Sequence, residues 1–212
     1  MHAMHCTAAA HLVAQHPVFA PLVERIGPPV IVVNRIEPYQ ALIRSVAHQQ
    51  LHGNAARAIL ARFAALFTTP GHPAPEAIDT IPDEALRGCG FSATKVAAIR
   101  DICRKTREGL VPCAADTEAM SNDILIERLS VIRGVGRWTV EMMLISTLGR
   151  PDVLPVDDFG VREGWRLLNK LDAQPKPREL AAVGEAWAPY RSTAAWYLWR
   201  AADEGKKIKQ SS

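Results

Sequence analysis

Two adjacent carboxylates, Asp157 and Asp158, stand where an extended segment meets a helical pattern. An aspartate at such a boundary often caps the helix, because its side-chain oxygen accepts a hydrogen bond from a backbone amide of the first turn. If the helix begins here, Asp158 shares one face with Val161 and Trp165, at the edge of an apolar surface. A partly desolvated carboxylate is suited to act as a general base or to face a developing cation. The pattern fits both a plain cap and a catalytic group, and Asp158 is the candidate if one aspartate is catalytic.

A second informative stretch, Gly134-Val135-Gly136, lies between two segments of helical period. Glycine permits a positive φ and leaves the backbone bare, so such a turn aims amide groups outward at the start of the next helix. These amides and the helix dipole together favour an anion. The pattern is typical of a helix-hairpin-helix element that binds one DNA phosphate. The alternative is a glycine-terminated helix that is simply followed by another helix.

Length and composition set broad bounds on the protein. The 212 residues are enough to bury a core, as one domain or as two small lobes. With 48% apolar and 22% charged residues, the chain is typical of soluble globular proteins, and its formal charge of +3 is compatible with nucleic acid. No secretory signal or membrane-spanning apolar stretch is visible, so we expect a cytoplasmic protein, associated with the nucleoid if the source is bacterial.

Metal-ligating residue types form no convincing pattern in the sequence. His48 and His52 are four residues apart, but Gln49 stands where the zinc-protease helix motif needs glutamate. No two of the four cysteines are spaced as in a zinc or iron–sulfur site, and we expect free thiols. The cysteines are Cys6, Cys89, Cys103 and Cys113.

Apolar residues recur at helical spacing along most of the chain, and no pair of segments has the pattern of paired strands. Pro17, Gly27-Pro28-Pro29, the proline-rich segment 68–75 and Gly149-Arg150-Pro151 interrupt this periodicity. We therefore predict an all-α fold class.

Together these features resemble the helix-hairpin-helix DNA glycosylases, and within them the alkylated-base branch of 3-methyladenine DNA glycosylase II. The resemblance covers residues 38–202. Its most specific part is Leu129-x-x-Ile132-x-Gly134-Val135-Gly136-x-x-Thr139, followed downstream by Pro155-Val156-Asp157-Asp158. The segment Ser45-Val46-Ala47-His48-Gln49-Gln50-Leu51 is similar to the family's glutamine-containing helix end, and Gly90-Phe91-Ser92-x-x-Lys95 to its short turn before the next helix.

The resemblance implies two helical lobes that flank a cleft, within a single glycosylase domain of residues 1–212. The first lobe would span about 38–148 and contain the helix-hairpin-helix element, 122–148. The second would combine about 1–37 with 149–204, followed by a flexible tail at 205–212.

The resemblance also implies roles for individual residues, with Asp158 as the catalytic aspartate. The base pocket would be formed by Trp138, Met142, Phe159 and Trp199. The DNA phosphate would be held by Gly134, Val135, Gly136, Arg137 and Thr139. The gap left by the flipped nucleotide would be filled by Gln50 or Leu51. A monovalent cation, Na⁺ or K⁺, would be bound by the carbonyls of Ser130, Ile132 and Val135.

Three departures from relatives in the wider superfamily carry information about the reaction. Trp138 stands where the enzymes that also cut the strand have lysine, so no Schiff base can form there and a monofunctional enzyme is expected. Met142 and Phe159 replace tyrosines, which leaves an aromatic pocket floor without phenolic hydroxyls. The iron–sulfur cysteines of other branches are absent after Cys113.

The sequence therefore predicts a monomeric, monofunctional DNA glycosylase of base excision repair that binds double-stranded DNA containing alkylated bases. It would flip out 3-methyladenine or 7-methylguanine and hydrolyse the N-glycosidic bond without an organic cofactor. One alternative is a glycosylase of the same fold for a deaminated or oxidised base. The other is a non-catalytic DNA-binding module in which Asp158 is only a cap.

Overall fold

The computed structural model describes residues 2–51, 53–68 and 73–211, and these residues form helices without any strand. The predicted all-α class is confirmed for this part of the chain. No helix within it is long and apolar enough to cross a membrane.

The chain divides into two compact units, and the first unit is Asn34–Leu148. Its boundary falls slightly before the expected residue 38, because the amide of Asn34 donates a hydrogen bond to the carbonyl of Ser146 at 2.8 Å. Its helices are α3 (Pro38–His48), α4 (Gly53–Ala64), α5 (Pro75–Asp79), α6 (Asp83–Gly88), α7 (Ala93–Arg107), α8 (Ala114–Thr117), α9 (Asn122–Leu129) and α10 (Arg137–Ser146), whereas α1 (His2–Gln15) and α2 (Ala20–Ile26) belong to the second unit.

Helix α3 is the centre of the first unit and packs against α7 and α10. It begins sharply, because Pro38 has the φ of a first helical residue and the amide of Glu37 donates to the Oε1 of Gln40 at 3.1 Å. Its buried face carries Leu42 and Val46, which have no exposed surface. Helices α7 and α10 therefore hold the C-terminal end of α3 in a fixed position.

The second unit combines the chain up to Val33 with the chain from Gly149 onward. Its helices are α1 (His2–Gln15), α2 (Ala20–Ile26), α11 (Phe159–Leu168), α12 (Pro177–Gly184) and α13 (Arg191–Ser211), with single 3-10 turns at Pro17–Phe19 and Glu185–Trp187. Backbone helicity thus continues to Ser211, and the flexible tail at 205–212 stays a prediction.

The contact between α11 and α13 is the core of the second unit. Gly164 makes it close, because a Cβ atom at this position would lie 2.0 Å from the carbonyl oxygen of Leu198. Trp187 and Tyr197 are fully buried beside this contact. Close packing of the two helix backbones fixes the middle of α11 against α13 near Leu198.

Candidate functional site

The hairpin between α9 and α10 depends on Gly134. Its φ of +74° lies in the left-handed region, and a Cβ atom there would lie only 2.8 Å from the Cβ of Ala98 on α7. Only glycine satisfies both the conformation and the close approach. The turn is therefore fixed against α7 rather than free in solvent.

The start of α10 presents amides suited to an anion. Gly136 is the N-cap residue. Within the part of the chain that the structure describes, the amides of Gly136 and Arg137 donate to no acceptor. Arg137 is exposed, and its Nε donates to Oε1 of the buried Glu141 at 2.8 Å. The hairpin thus combines outward amides, the positive end of a helix dipole and a guanidinium.

Two of the residues expected to hold the phosphate are buried and support the turn from inside. Thr139 is 2% exposed, and its amide donates to the carbonyl of Gly136 at 2.9 Å. Val135 is 3% exposed, and its amide donates to the carbonyl of Ile132 at 3.0 Å. The sequence pattern could not separate these inward groups from Gly136 and Arg137, because all of them lie in one short motif.

Gln49 makes a contact with the hairpin that the sequence pattern did not predict, although Gln49 lies in the segment that resembles the family's glutamine-containing helix end. Its Nε2 donates to the carbonyl of Gly134 at 2.9 Å and to the hydroxyl of Thr139 at 3.0 Å. The end of α3 is thereby tied directly to the hairpin. The signals in the sequence were its position in that segment and its place directly before the candidate wedge residues.

The candidate wedge residues follow immediately after Gln49. Gln50 has a φ of +58°, which is strained for a residue with a side chain, and its side chain is exposed. Leu51 is 40% exposed. An exposed apolar side chain beside a residue held in a rare conformation is suited to insertion between bases.

Trp138 and Met142 line a cavity of about 320 Å³ in the first unit. His48 and Ser45 share its wall, with Asn34, Ala41, Arg44, Ser146 and Thr147. Burial lowers the pKa of His48 below 6.5, and the charges of Arg44, Arg57 and Lys95 lower it further. The imidazole is therefore mainly neutral near pH 7, and the cavity offers an aromatic ring, a thioether and a neutral polar group.

Asp158 lies at the start of α11 in the second unit and is its N-cap, as the sequence predicted. Its Oδ1 accepts the amide of Val161 at 2.9 Å and the indole N–H of Trp199 on α13, also at 2.9 Å. Gly160 permits this second contact, because a Cβ there would lie 2.9 Å from Cδ1 of Trp199. The carboxylate is therefore both a cap and the partner of an indole.

Phe159 and Asp157 extend from the same helix start. Phe159 is 63% exposed, which is unusual for a large apolar side chain, and Asp157 is exposed. Phe159 and Trp199 thus accompany Asp158 in the second unit, whereas Trp138 and Met142 belong to the first.

The remaining histidines and cysteines that the sequence analysis considered as metal ligands can be placed in part. His52 lies outside the described residues, and among the described residues no group of three or more His, Cys, Asp or Glu side chains is placed to hold a metal ion. Cys89, Cys103 and Cys113 are free thiols. Burial raises the pKa of Cys103 to about 12, so this thiol is inert.

Comparison with known protein families gives a match over most of the chain. The family described as HhH-GPD superfamily base excision DNA repair protein matches residues 43–189, which include the hairpin and Asp158.

Individual proteins are similar to the chain over most of its length. DNA-3-methyladenine glycosylase 1 of Schizosaccharomyces pombe is 47% identical over 164 residues, which are 77% of this chain and 72% of that protein. An alkylbase DNA glycosidase-like protein of the same yeast is 33% identical over 91% of this chain and 92% of its own length. A solved structure of the S. pombe 3-methyladenine DNA glycosylase in complex with abasic DNA matches with a TM-score of 0.87 and 43% identity, over 92% of this chain and 95% of that chain.

Proposed function

This chain belongs to the HhH-GPD superfamily of base excision DNA repair proteins, and on that premise we propose that it is a monofunctional DNA glycosylase for alkylated bases. It binds double-stranded DNA as a monomer and hydrolyses the N-glycosidic bond of bases such as 3-methyladenine and 7-methylguanine. Two similar proteins are named DNA-3-methyladenine glycosylase 1 and alkylbase DNA glycosidase-like protein, which supports this choice of substrate. The products are a free base and an abasic site.

The observation that carries the proposal is the pairing of Asp158 with Trp199 at the start of α11. A base within a duplex is out of reach, so the nucleotide must first be flipped out, at a cost of a few kcal/mol. N-alkylated purines carry positive charge and leave readily as neutral bases. Stacking and cation–π attraction from tryptophan hold such a base. The Asp158 carboxylate stabilises the oxocarbenium ion that develops on the sugar and orients the attacking water.

Holding the DNA is the role we propose for the hairpin. The amides of Gly136 and Arg137 are the candidate phosphate donors, and the Gln50–Leu51 loop is the candidate wedge. Binding through a few phosphate contacts is independent of sequence and weakens with salt, as a scanning enzyme requires. We propose a cytoplasmic protein, which would meet its DNA substrate at the nucleoid if the source is bacterial.

A monovalent cation at the hairpin fits the residues present. Ile132 accepts one hydrogen bond from the amide of Val135, and a carbonyl oxygen has a second lone pair for a ligand. Carbonyls of Ser130 and Val135 would complete the donor set for Na⁺ or K⁺. A cation bound there would add positive charge beside the phosphate.

The proposal is tested by incubating the protein with methylated duplex DNA and identifying the released bases by chromatography. We expect free 3-methyladenine, 7-methylguanine or both, together with abasic sites in the DNA. Release only of a deaminated or oxidised base from a matched set of lesion duplexes would replace the substrate assignment. Binding without release of any base would contradict enzymatic function altogether.

A further inference from the structure

Lys95 on α7 reaches across to the C-terminal end of α3. Its Nζ donates to the carbonyl of Ala47 at 3.0 Å and to the carbonyl of Gln49 at 2.9 Å. These carbonyls belong to the last helical turn and the C-cap, where the backbone lacks intrahelical partners and a cation is favoured. Partial burial lowers the pKa of Lys95, and both of its hydrogen bonds to carbonyls are partly buried.

Gln49 continues the connection from this ammonium to the hairpin. Its carbonyl accepts from Lys95, while its side-chain amide donates to the carbonyl of Gly134 and the hydroxyl of Thr139. The next residue, Gln50, is the strained one with φ +58°. A conformation of this kind persists only when its surroundings hold it in place. The hydrogen bonds of Lys95 and Gln49 fix the residue that precedes Gln50, and so help to hold Gln50 in this conformation.

Helix α7 contacts both the hairpin and the loop that follows α3. Ala98 lies against Gly134, one turn along α7 from Lys95. Helix α7 thus touches the hairpin directly through Ala98 and holds the loop after α3 through Lys95. A large displacement of that loop relative to the hairpin would therefore disrupt the hydrogen bonds of Lys95 or Gln49.

We propose that Lys95 and Gln49 are positioning residues that hold the Gln50–Leu51 wedge in fixed register with the phosphate-binding hairpin. Neither residue is assigned contact with the flipped base or the reacting atoms. The inference rests on the proposed function, since it assumes that the loop enters DNA. DNA that is held by the hairpin then meets a wedge that is already in place.

The test uses a duplex with an abasic site beside 2-aminopurine, whose fluorescence rises when a wedge disturbs its stacking. Lys95→Met removes two charge-assisted hydrogen bonds, so we expect about tenfold weaker population of the inserted state. Affinity for undamaged duplex should stay within about twofold, because the hairpin amides are unchanged. Lys95→Arg keeps a cationic donor and should restore part of the fluorescence change.

Two further variants separate positioning from general stability. Ser92→Ala removes the N-cap bond to the amide of Lys95 at 3.3 Å, and so weakens α7 without touching the loop. It should lower the melting temperature and leave the fluorescence change intact. Gln49→Leu should reduce the fluorescence change as Lys95→Met does, and the double variant should be little worse than either, because both act through one connection.

A Lys95→Met protein with wild-type fluorescence, or a Ser92→Ala protein with an equal loss, would overturn the inference. An absent fluorescence change in the wild-type protein would also overturn it, because the loop would then not be a wedge. Insertion by a wild-type protein that releases no alkylated base would instead contradict the proposed function and leave this inference standing.

Discussion

The indole N–H of Trp199 and the Oδ1 oxygen of Asp158 are joined by a 2.9 Å hydrogen bond between α13 and α11. The same oxygen also accepts the amide of Val161 at 2.9 Å. Two donors on one oxygen restrict the rotation of the carboxylate and hold it as an acceptor. Trp199 therefore has two roles in our account, since its ring is a stacking surface and its N–H orients the catalytic group.

Replacing Trp199 by phenylalanine separates these two roles. Trp199→Phe keeps an aromatic ring and loses the hydrogen bond, so we expect base release in single-turnover assays to slow about tenfold, as the loss of about 1.5 kcal/mol from a hydrogen bond to a charged group implies. Trp196→Phe is the matched control, because Trp196 on the same helix donates its indole N–H to the carbonyl of Val30 at 3.1 Å. Equal rates for the two variants would show that the bond to Asp158 has no role in the reaction.

Gly134→Ala should weaken both folding and DNA binding. The variant combines a positive φ with a Cβ contact of 2.8 Å to Ala98, so we expect the free energy of unfolding to fall by about 1–3 kcal/mol. Adding Ala98→Gly should restore the part of the lost unfolding free energy that is due to the Cβ contact. The part that is due to the positive φ should remain lost. Gly136→Ala is the control, because Gly136 has a φ of −95° and open space around it. Urea unfolding that ranks the two alanine variants equally would contradict this account of the hairpin.

Stability should fall on mild acidification because of two histidines. Burial lowers the pKa of both His48 and His16 below 6.5, with Arg44, Arg57 and Lys95 adding to the effect at His48. Below pH 6.5 the unfolded chain therefore binds more protons than the folded chain, and the free energy of unfolding decreases as the pH falls. The stabilisation is fully present above that pH and is lost as the pH falls toward the folded pKa values.

Urea denaturation at about pH 7.5 and about pH 5.5 measures this loss. His48→Gln should remove part of the pH dependence, and the remainder should disappear with His16→Gln. The carboxyls of Asp101 and Asp152 have a pKa below 3.8, so their contribution is lost only at lower pH. A wild-type stability that is constant or rises on acidification would contradict the prediction.

Trp138 predicts that no covalent enzyme–DNA adduct forms. A Schiff base needs an amine, and the position that carries lysine in strand-cutting relatives is tryptophan here. Borohydride added during turnover should therefore trap no protein on the DNA, while a strand-cutting glycosylase in parallel should be trapped. A trapped band with this protein would overturn the monofunctional assignment.

Local patterns in the sequence sufficed for the helices, the hairpin and the capping role of Asp158, because periodicity and capping chemistry act over a few residues. Contacts between residues that are distant in the sequence could not be predicted from these local patterns. The bonds from Lys95 to Ala47 and from Trp199 to Asp158 join residues 48 and 41 positions apart. Nothing near Lys95 in the sequence marks its partner, and only the packing of α7 against α3 brings the two together. The inward orientation of Thr139 was hidden for the same reason, since Gln49 supplies its partner.

The most direct test of our central claim is base release by Asp158→Asn. Asparagine has nearly the same shape and its side-chain oxygen can still accept from Val161 and Trp199, so the fold and DNA affinity should be retained. Losing the negative charge removes the group that stabilises the oxocarbenium ion, and release of 3-methyladenine and 7-methylguanine should fall about a hundredfold or more. Wild-type release of both bases by this variant, with DNA binding unchanged, would contradict the assignment of Asp158 as the catalytic residue.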